Sequence, residues 1–207
     1  MFKIEPTKIV NYVNNDFNDY DESYNNSKFS DQKFINYEYK IDFNNCYFDN
    51  IDFKNNNIEG FVFDNCYFKN CDFSNTNFYE CGMLRCTFVD CKFMGTKVLD
   101  SNLKNINFLG CSMLYLILSN SNLCNINFDN IDFSYATISE LEFKNIIFNE
   151  CKLYNSEIYR TSLKDIDLSS SSLEGVKTSI EELRGVKVNS YQAINIITML
   201  GIEIADS

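Results

Sequence analysis

Asn44-Asn-Cys-Tyr-Phe-Asp-Asn-Ile-Asp-Phe53 returns twenty residues later as Asp64-Asn-Cys-Tyr-Phe-Lys-Asn-Cys-Asp-Phe73. Within each copy a large apolar residue recurs every five positions. Followed outward, that spacing runs without insertion from Phe43 to Leu173, and all 27 centres are Phe, Leu, Ile, Met or Val. A helix needs an apolar period of about 3.6 and a half-buried strand one of about 2. A period of five demands a chain that turns a corner after every unit. The residue two before each centre is apolar or small in every unit except that of Asn56. Two of every five side chains therefore face inward. The other three positions are rich in Asn, Asp, Lys, Glu and Ser and face outward. Asparagine takes the last unit position 12 times in 27, where its tolerance of turn conformations suits a corner.

A second period lies on the first. Ser101-Asn-Leu-Lys-Asn-Ile-Asn-Phe108 returns as Ser121-Asn-Leu-Cys-Asn-Ile-Asn-Phe128, again twenty residues on. Twenty residues are four units, so like residues stack on the faces of a four-sided coil. The column Phe48, Phe68, Phe88, Phe108, Phe128 and Phe148 is phenylalanine throughout. Units such as Ile131-Asp132-Phe133-Ser134-Tyr135 and Ser121-Asn122-Leu123-Cys124-Asn125 resemble the pentapeptide repeat family, whose unit is written A(D/N)LXX. The resemblance spans Ile41 to Gly175. It implies an all-β solenoid, a right-handed quadrilateral β-helix. Nearly seven coils at the strand spacing of about 4.8 Å give a rod about 32 Å long.

The flanks divide the rest of the chain. Residues 1–23 are polar and read as an N-terminal arm, mostly disordered. Tyr24, Phe29, Phe34 and Tyr39 are five apart but one residue out of phase, so 24–40 is expected to be an irregular capping coil. The repeat occupies 41–175, and 176–207 forms a C-terminal helix and strand module. Thr178-Ser-Ile-Glu181 has the spacing of a capping box. Arg184 to Val188 and Ile202 to Ile204 read as short strands. Asn189 or Ser190 can cap a helix from Tyr191 to Leu200, stopped by Gly201. That helix is apolar on more than one stripe. It can cover an open coil end, with its unpaired backbone groups, and still meet a twin.

Composition excludes several activities. The 207 residues contain no histidine, so Ser-His-Asp and Cys-His pairs and His-ligated metals are absent. The seven glycines form neither GxGxxG nor a P-loop. No run of about 18 apolar residues offers a transmembrane helix, and Met1 to Val13 lacks a signal-like apolar core. Of nine cysteines, eight (46, 66, 71, 81, 86, 91, 111 and 151) share the inward register and only Cys124 points outward. No metal-like CxxC spacing occurs, so they read as small buried hydrophobes. Reduced thiols suit a cytoplasmic location. No cofactor, metal, membrane or small-molecule substrate is expected, and the net charge of -11 disfavours direct nucleic-acid binding. Outward carboxylates without a pocket, around a core of Phe and Leu, point away from an enzyme.

The surface offers three sets of candidate contacts. Glu59, Glu80, Asp100, Glu140 and Glu157 fall on one face, opposed there by Lys97 and Arg160. The face built on Phe48 adds Asp49, Asp90, Asp129 and Glu150, with Asp167. Arg85, Lys104, Lys144 and Lys164 lie on the Phe43 face, so one side of the rod is expected to be more negative. The repeat carries 18 acidic and 10 basic residues, a net charge of -8 and less than half that of the roughly 19 phosphates of a duplex of that length. An apolar belt, Leu84, Val89, Met94, Leu99, Leu109 and Leu114, forms the second set, because outward apolar residues mark contacts. Tyr191, Ile194, Ile197, Leu200 and Ile202 form the third, a dimer interface.

The stretch from Leu183 to Ile204 is similar to the C-terminal module of the quinolone-resistance (Qnr-like) branch, in which the module makes a homodimer. That resemblance implies a non-enzymatic, DNA-mimicking partner of DNA gyrase or topoisomerase IV, with a role in antibiotic resistance. Several members of the branch carry loops needed for protection. Here Phe43 to Leu173 is unbroken, so protection and direct inhibition both stay open. The rival expectation is a rigid β-helical scaffold presenting its faces to an unrelated protein.

Overall fold

The computed structural model describes residues 4, 7–8, 11–17, 22–35, 39–199 and 203. The chain winds into a parallel β-solenoid of about seven turns, followed by two short helices. From Asp42 onward the strands pair in parallel with those of neighbouring coils, twenty residues away: Phe43 opposes Phe63, Tyr47 opposes Tyr67 and Ile58 opposes Phe78. We number the four faces by their lowest full coil. The first carries Phe43, the second Phe48, the third Phe53 and the fourth Ile58. Strands of the first and second faces form one sheet and those of the fourth another. The third face is held by single bridges, such as Asp72 to Lys92, and by tight turns in which Thr76 N–H donates to the Phe73 carbonyl at 3.0 Å.

The corner explains the asparagines. Every fifth residue from Asn45 to Asp165 has a φ between 48° and 68°. That left-handed region costs most side chains roughly 1–2 kcal/mol, while Asn, Asp and Gly enter it readily. Inside, the centres stack as columns. Phe48, Phe68, Phe88, Phe108, Phe128 and Phe148 lie ring on ring at 4.5–5.3 Å. Rings of adjacent faces meet edge to face, as Phe88 and Phe93 do at 5.6 Å. Each such pair contributes roughly 0.5–1.5 kcal/mol beyond its buried area. The small inward positions donate to main-chain carbonyls of the coil beneath: Thr76 Oγ1 to Phe53 at 2.6 Å, Cys66 Sγ to Phe43 at 3.3 Å. Asn56 is the polar exception, and its Nδ2 donates to the Phe53 carbonyl at 2.8 Å.

The ends differ from the sequence reading in four respects. First, the described part of the N-terminal segment lies against the rod. Strand β1 (Val13–Asn14) precedes β2 (Ser23–Asn25) and β3 (Ser27–Ser30). It pairs with β3, and Phe17 stacks on Phe29 at 4.3 Å, so an aromatic ring covers the open core. Second, the out-of-phase residues align fully with the next coil. Tyr24 opposes Phe43 and Phe29 opposes Phe48 at a register of nineteen. The missing residue is absorbed between Tyr39 and Phe43. Third, the column positions continue beyond Gly175. Leu183 and Val188 pack on the core, with Leu163 N–H donating to Glu182 and Leu168 N–H to Lys187. In place of a strand at 184–188 there is a single bridge at Lys187. Fourth, the capping box is one residue on: Ser179 caps α1 (Ile180–Leu183) with Glu182 as its reciprocal partner, in place of the equally spaced Thr178 and Glu181.

Helix α2 spans Ser190–Met199. Asn189 and Gln192 cap it reciprocally, Gln192 N–H on Asn189 Oδ1 at 3.0 Å and Asn189 N–H on Gln192 Oε1 at 2.7 Å. Gln192 is itself buried, and its Nε2 donates to the Leu168 and Ser171 carbonyls at 2.9 and 2.6 Å. Carbonyls left by the last coil are thus satisfied from the helix that covers it. The strand expected at Ile202 to Ile204 lies outside the described residues.

Candidate functional site

The rod's interior is packed around a small apolar void, and the described residues hold no group of three or more metal-ligating side chains. The eight inward cysteines are buried, and Cys124 is half-buried. Burial pushes the Cys81 and Cys151 thiols up to about 11 and those of Cys66 and Cys91 well above their usual value. These thiols stay protonated and are not nucleophiles. What the molecule offers a partner is its four long faces and their edges.

The predicted acidic residues divide between two opposite faces. Asp49, Asp90, Asp129 and Glu150 belong to the second face and its edge; Glu59 and Glu157 belong to the fourth, and Glu80, Asp100 and Glu140 to its corner with the first. Four units make one turn, so the two faces are separated by the first and third. The expectation of a single negative side is corrected accordingly. The fourth face is also not uniform. Glu140 pairs with Arg160 at 2.5 Å and Glu157 with Lys177 at 2.7 Å. Asp100 accepts from Asn120. Glu59, Glu80 and Asp100 form no ion pair among the described residues, although Lys97 shares their face and the Lys40 ammonium lies close to Gly60, beside Glu59. Charge from Glu80 and Asp100 raises the Tyr79 phenol above its ordinary value, Glu80 contributing most. The first face is balanced: Arg85 grips both oxygens of Asp64 at 2.5 and 2.6 Å.

The predicted apolar belt is not one patch. Leu84, Val89, Met94 and Leu99 lie one on each face, because the belt follows one coil around the rod. Leu109 stacks on Val89 and Leu114 follows Met94 in the next coil. Among these, Met94 is the exposed one, at 49%. A stronger apolar feature lies along the edge between the third and fourth faces. Tyr115 and Tyr135 sit at corner positions with φ of 57° and 61°. Their rings stack at 5.1 Å, and Tyr154 meets Tyr135 edge-on at 5.7 Å. All three are more than two-fifths exposed. Reading outward apolar residues as a sequential belt missed this ladder, although twenty-residue spacing gives it away: Tyr115 and Tyr135 share a column.

The second face is partly covered by the chain itself. Lys8 N–H donates to Asn65 Oδ1 at 2.7 Å, and Asn65 Nδ2 donates back to the Lys8 carbonyl at 3.2 Å. Thr7 Oγ1 donates to the Arg85 carbonyl at 3.0 Å and shares a 2.7 Å hydrogen bond with Thr87 Oγ1. Tyr12 packs on Tyr47 at 5.6 Å. At the C-terminal end, Tyr191, Ile194 and Ile197 form an exposed stripe on α2. Beside it an apolar cleft of about 360 Å³ opens between α2 and the last coil, lined by Leu163, Leu168, Leu173, Tyr191 and Ile196. Leu200 and Ile202, the other two predicted interface residues, lie outside the described residues.

The four-sided parallel coil, with its five-residue unit and left-handed corner, defines a quadrilateral β-helix. Residues 61–138 match the model of the pentapeptide repeat region, and the same register continues on both sides of that match. The chain thus contains a pentapeptide repeat region. No curated protein matches the sequence. Among solved structures it is similar to QnrB1, a plasmid-mediated fluoroquinolone resistance protein, with 19% identity over 87% of this chain and 100% of that one and a TM-score of 0.43. It is similar also to HetL, a protein involved in heterocyst differentiation regulation from the cyanobacterium Nostoc, with 11% identity, coverage of 83% and 91% and a TM-score of 0.35. Rfr23 from the cyanobacterium Cyanothece gives 13% identity, coverage of 59% and 64% and a TM-score of 0.30.

Proposed function

We propose that this protein is a non-catalytic rod that binds DNA gyrase or topoisomerase IV through surfaces that stand in for duplex DNA. The observation that carries this reading is the charge arrangement. Two opposite long faces are net acidic, and the first face is balanced between acids and bases. A basic groove that holds a duplex meets phosphates on both flanks, and a rod with two acidic flanks supplies the same field at lower density. The resemblance of the stretch from Leu183 onward to the Qnr-like module adds support. In this reading two copies join through α2, with Tyr191, Ile194 and Ile197 in the contact. Apolar residues in such a row and the adjoining cleft favour burial against a twin.

The test is a supercoiling assay with purified gyrase, with and without a quinolone. Restored supercoiling in the presence of drug means protection; inhibition without drug means competition with DNA. No effect on gyrase or topoisomerase IV would sink the reading. A second reading, a rigid scaffold for an unrelated protein, is favoured by one observation: Arg160 and Lys177 neutralise the upper part of the fourth face. It predicts the null result in both assays. For the pairing, sedimentation of the full chain should give a dimer, and Ile194→Glu with Ile197→Glu a monomer. A monomeric parent would exclude the dimer.

A further inference from the structure

The acidic faces are opposite one another, and a groove that meets both need not grip them equally. We propose that the fourth face makes the tighter contact, and that the ladder of Tyr115, Tyr135 and Tyr154 along its edge is the apolar anchor that holds a cationic partner surface there. This rests on the topoisomerase reading and names the contact within it.

Three observations separate the fourth face from the second. The first is coverage. Residues 7, 8 and 12 lie against Thr87, Asn65 and Tyr47, at the second face and its edge. The second is chemistry. On the fourth face the carboxylates of Glu59, Glu80 and Asp100 are interleaved with Tyr79, which is 39% exposed. The raised Tyr79 phenol reports the negative field at its hydroxyl. Carboxylates beside exposed tyrosine rings suit Arg and Lys, which gain both ion pairing and contact with the ring face. Lys97 on the same face and Lys40 near Gly60 work against this and leave Asp100, one coil below Tyr115, and Glu80 beneath it as the carboxylates without an ion pair closest to the ladder.

The third observation is strain. Corner positions take Asn or Gly at little cost, yet Tyr115 and Tyr135, the aromatic ones among seven that depart from Asn, Asp and Gly, occupy them with positive φ. A bulky aromatic there is an outlier, and such outliers mark functional positions. Stacking on each other returns part of that cost, but Asn columns elsewhere achieve the same with amide ladders, as Asn125 to Asn105 and Asn145 to Asn125 do at 2.8 Å. The tyrosines are not needed to make the corner. Exposed, rigid and aromatic, they have the character of interface anchors, with charge on the adjoining face steering the encounter.

The experiment measures binding of the full chain to purified gyrase holoenzyme by surface plasmon resonance, with the topoisomerase IV holoenzyme in parallel. Three double variants are compared: Tyr115→Asn with Tyr135→Asn, Glu80→Gln with Asp100→Asn, and Asp49→Asn with Asp90→Asn on the second face. The first two should each weaken binding at least 10-fold, and the third less than 3-fold. The tyrosine variant should melt no lower than the parent, which rules out misfolding as the cause. A larger loss from the second-face variant, or unchanged binding by the tyrosine variant, overturns the proposal while leaving the topoisomerase reading intact. A parent chain that binds neither enzyme overturns both.

Discussion

The lower and upper coils obey one repeat but differ at one inward column. On the second face the small inward position is Cys46, Cys66 and Cys86 below, and Ile106, Ile126 and Ile146 above. In the lower coils the first and second faces carry separate short strands, such as Asp42–Asn44 and Tyr47–Asp49. In the upper coils the two fuse into Asn102–Leu109, Asn122–Asp129 and Glu142–Asn149, and Ile106 pairs directly with Ile126. The corner residue is not the reason, since Asn65 and Asn105 share nearly the same φ, 55° and 57°. The inward neighbour is. A β-branched side chain holds its backbone extended and fills more of the core. A thiol is smaller and turns to a carbonyl of the coil beneath. How sharply the rod bends at a corner is thus set from inside.

The largest test of this comparison is alkali. A thiol whose folded pKa is raised stabilises the fold fully below its unfolded value, and that stability is lost as pH climbs through the folded value. For Cys81 and Cys151 the window runs from 9.0 to about 11. At roughly 1.4 kcal/mol per pH unit, each should lose about 2 kcal/mol by pH 11. Cys66 and Cys91, also buried, deepen the loss in the lower coils. The urea midpoint should fall steeply between pH 9 and pH 11, and amide exchange should rise first below Phe93. Cys81→Ser, which mimics Ser101 in the next coil, should remove its share. A midpoint that stays level across this range would mean that the thiols do not sit in a dry core.

A smaller effect comes from exchanging the columns. Ile126→Cys makes an upper coil resemble a lower one. It should cost about 2 kcal/mol, near the low end for truncating a buried isoleucine. Amide protection at Asn125 and Ile126 should drop with it as the fused strand divides. If stability falls but protection at the corner does not, the inward column sets packing alone and the comparison above fails.

The fold was legible because its determinants are local and periodic. Phe, Cys and Asn each recur in the register that the coil imposes, and four units per turn follow from the twenty-residue echo. The N-terminal end was harder. Phe17 belongs to no repeat unit, and only the open core below Phe29 explains its place. The same holds for Lys8 and Asn65, 57 residues apart and joined by an amide that the Arg85 break in the asparagine column leaves without an asparagine above it. Surface contacts were half legible. Sequence placed Glu80 and Asp100 on one face, but their lack of cation partners, against Glu140 with Arg160, needed the side chains. The tyrosine ladder was hidden because a reading along the chain sees neighbours in sequence, whereas a solenoid surface is organised across coils.

The smallest effect lies where the two halves meet. Phe78 on the fourth face gives way to Val98 and then Leu118, while Met83 gives way to Leu103 on the first. Stacked phenylalanines are replaced there by aliphatic side chains of different shape, and a void of about 20 Å³ remains among Phe78, Met83, Val98, Leu103 and Leu118. It is entirely apolar, so water gains nothing by entering. At about 24 cal/mol per Å³, closing it is worth roughly 0.5 kcal/mol. Val98→Ile adds one methylene toward that space and should raise the melting temperature by a few degrees at most. Phe78→Leu should do the reverse and enlarge the void, at a cost of about 1–3 kcal/mol. If Val98→Ile destabilises instead, the aromatic and aliphatic halves are already in full contact, and the mismatch between them is resolved by the positions of the coils.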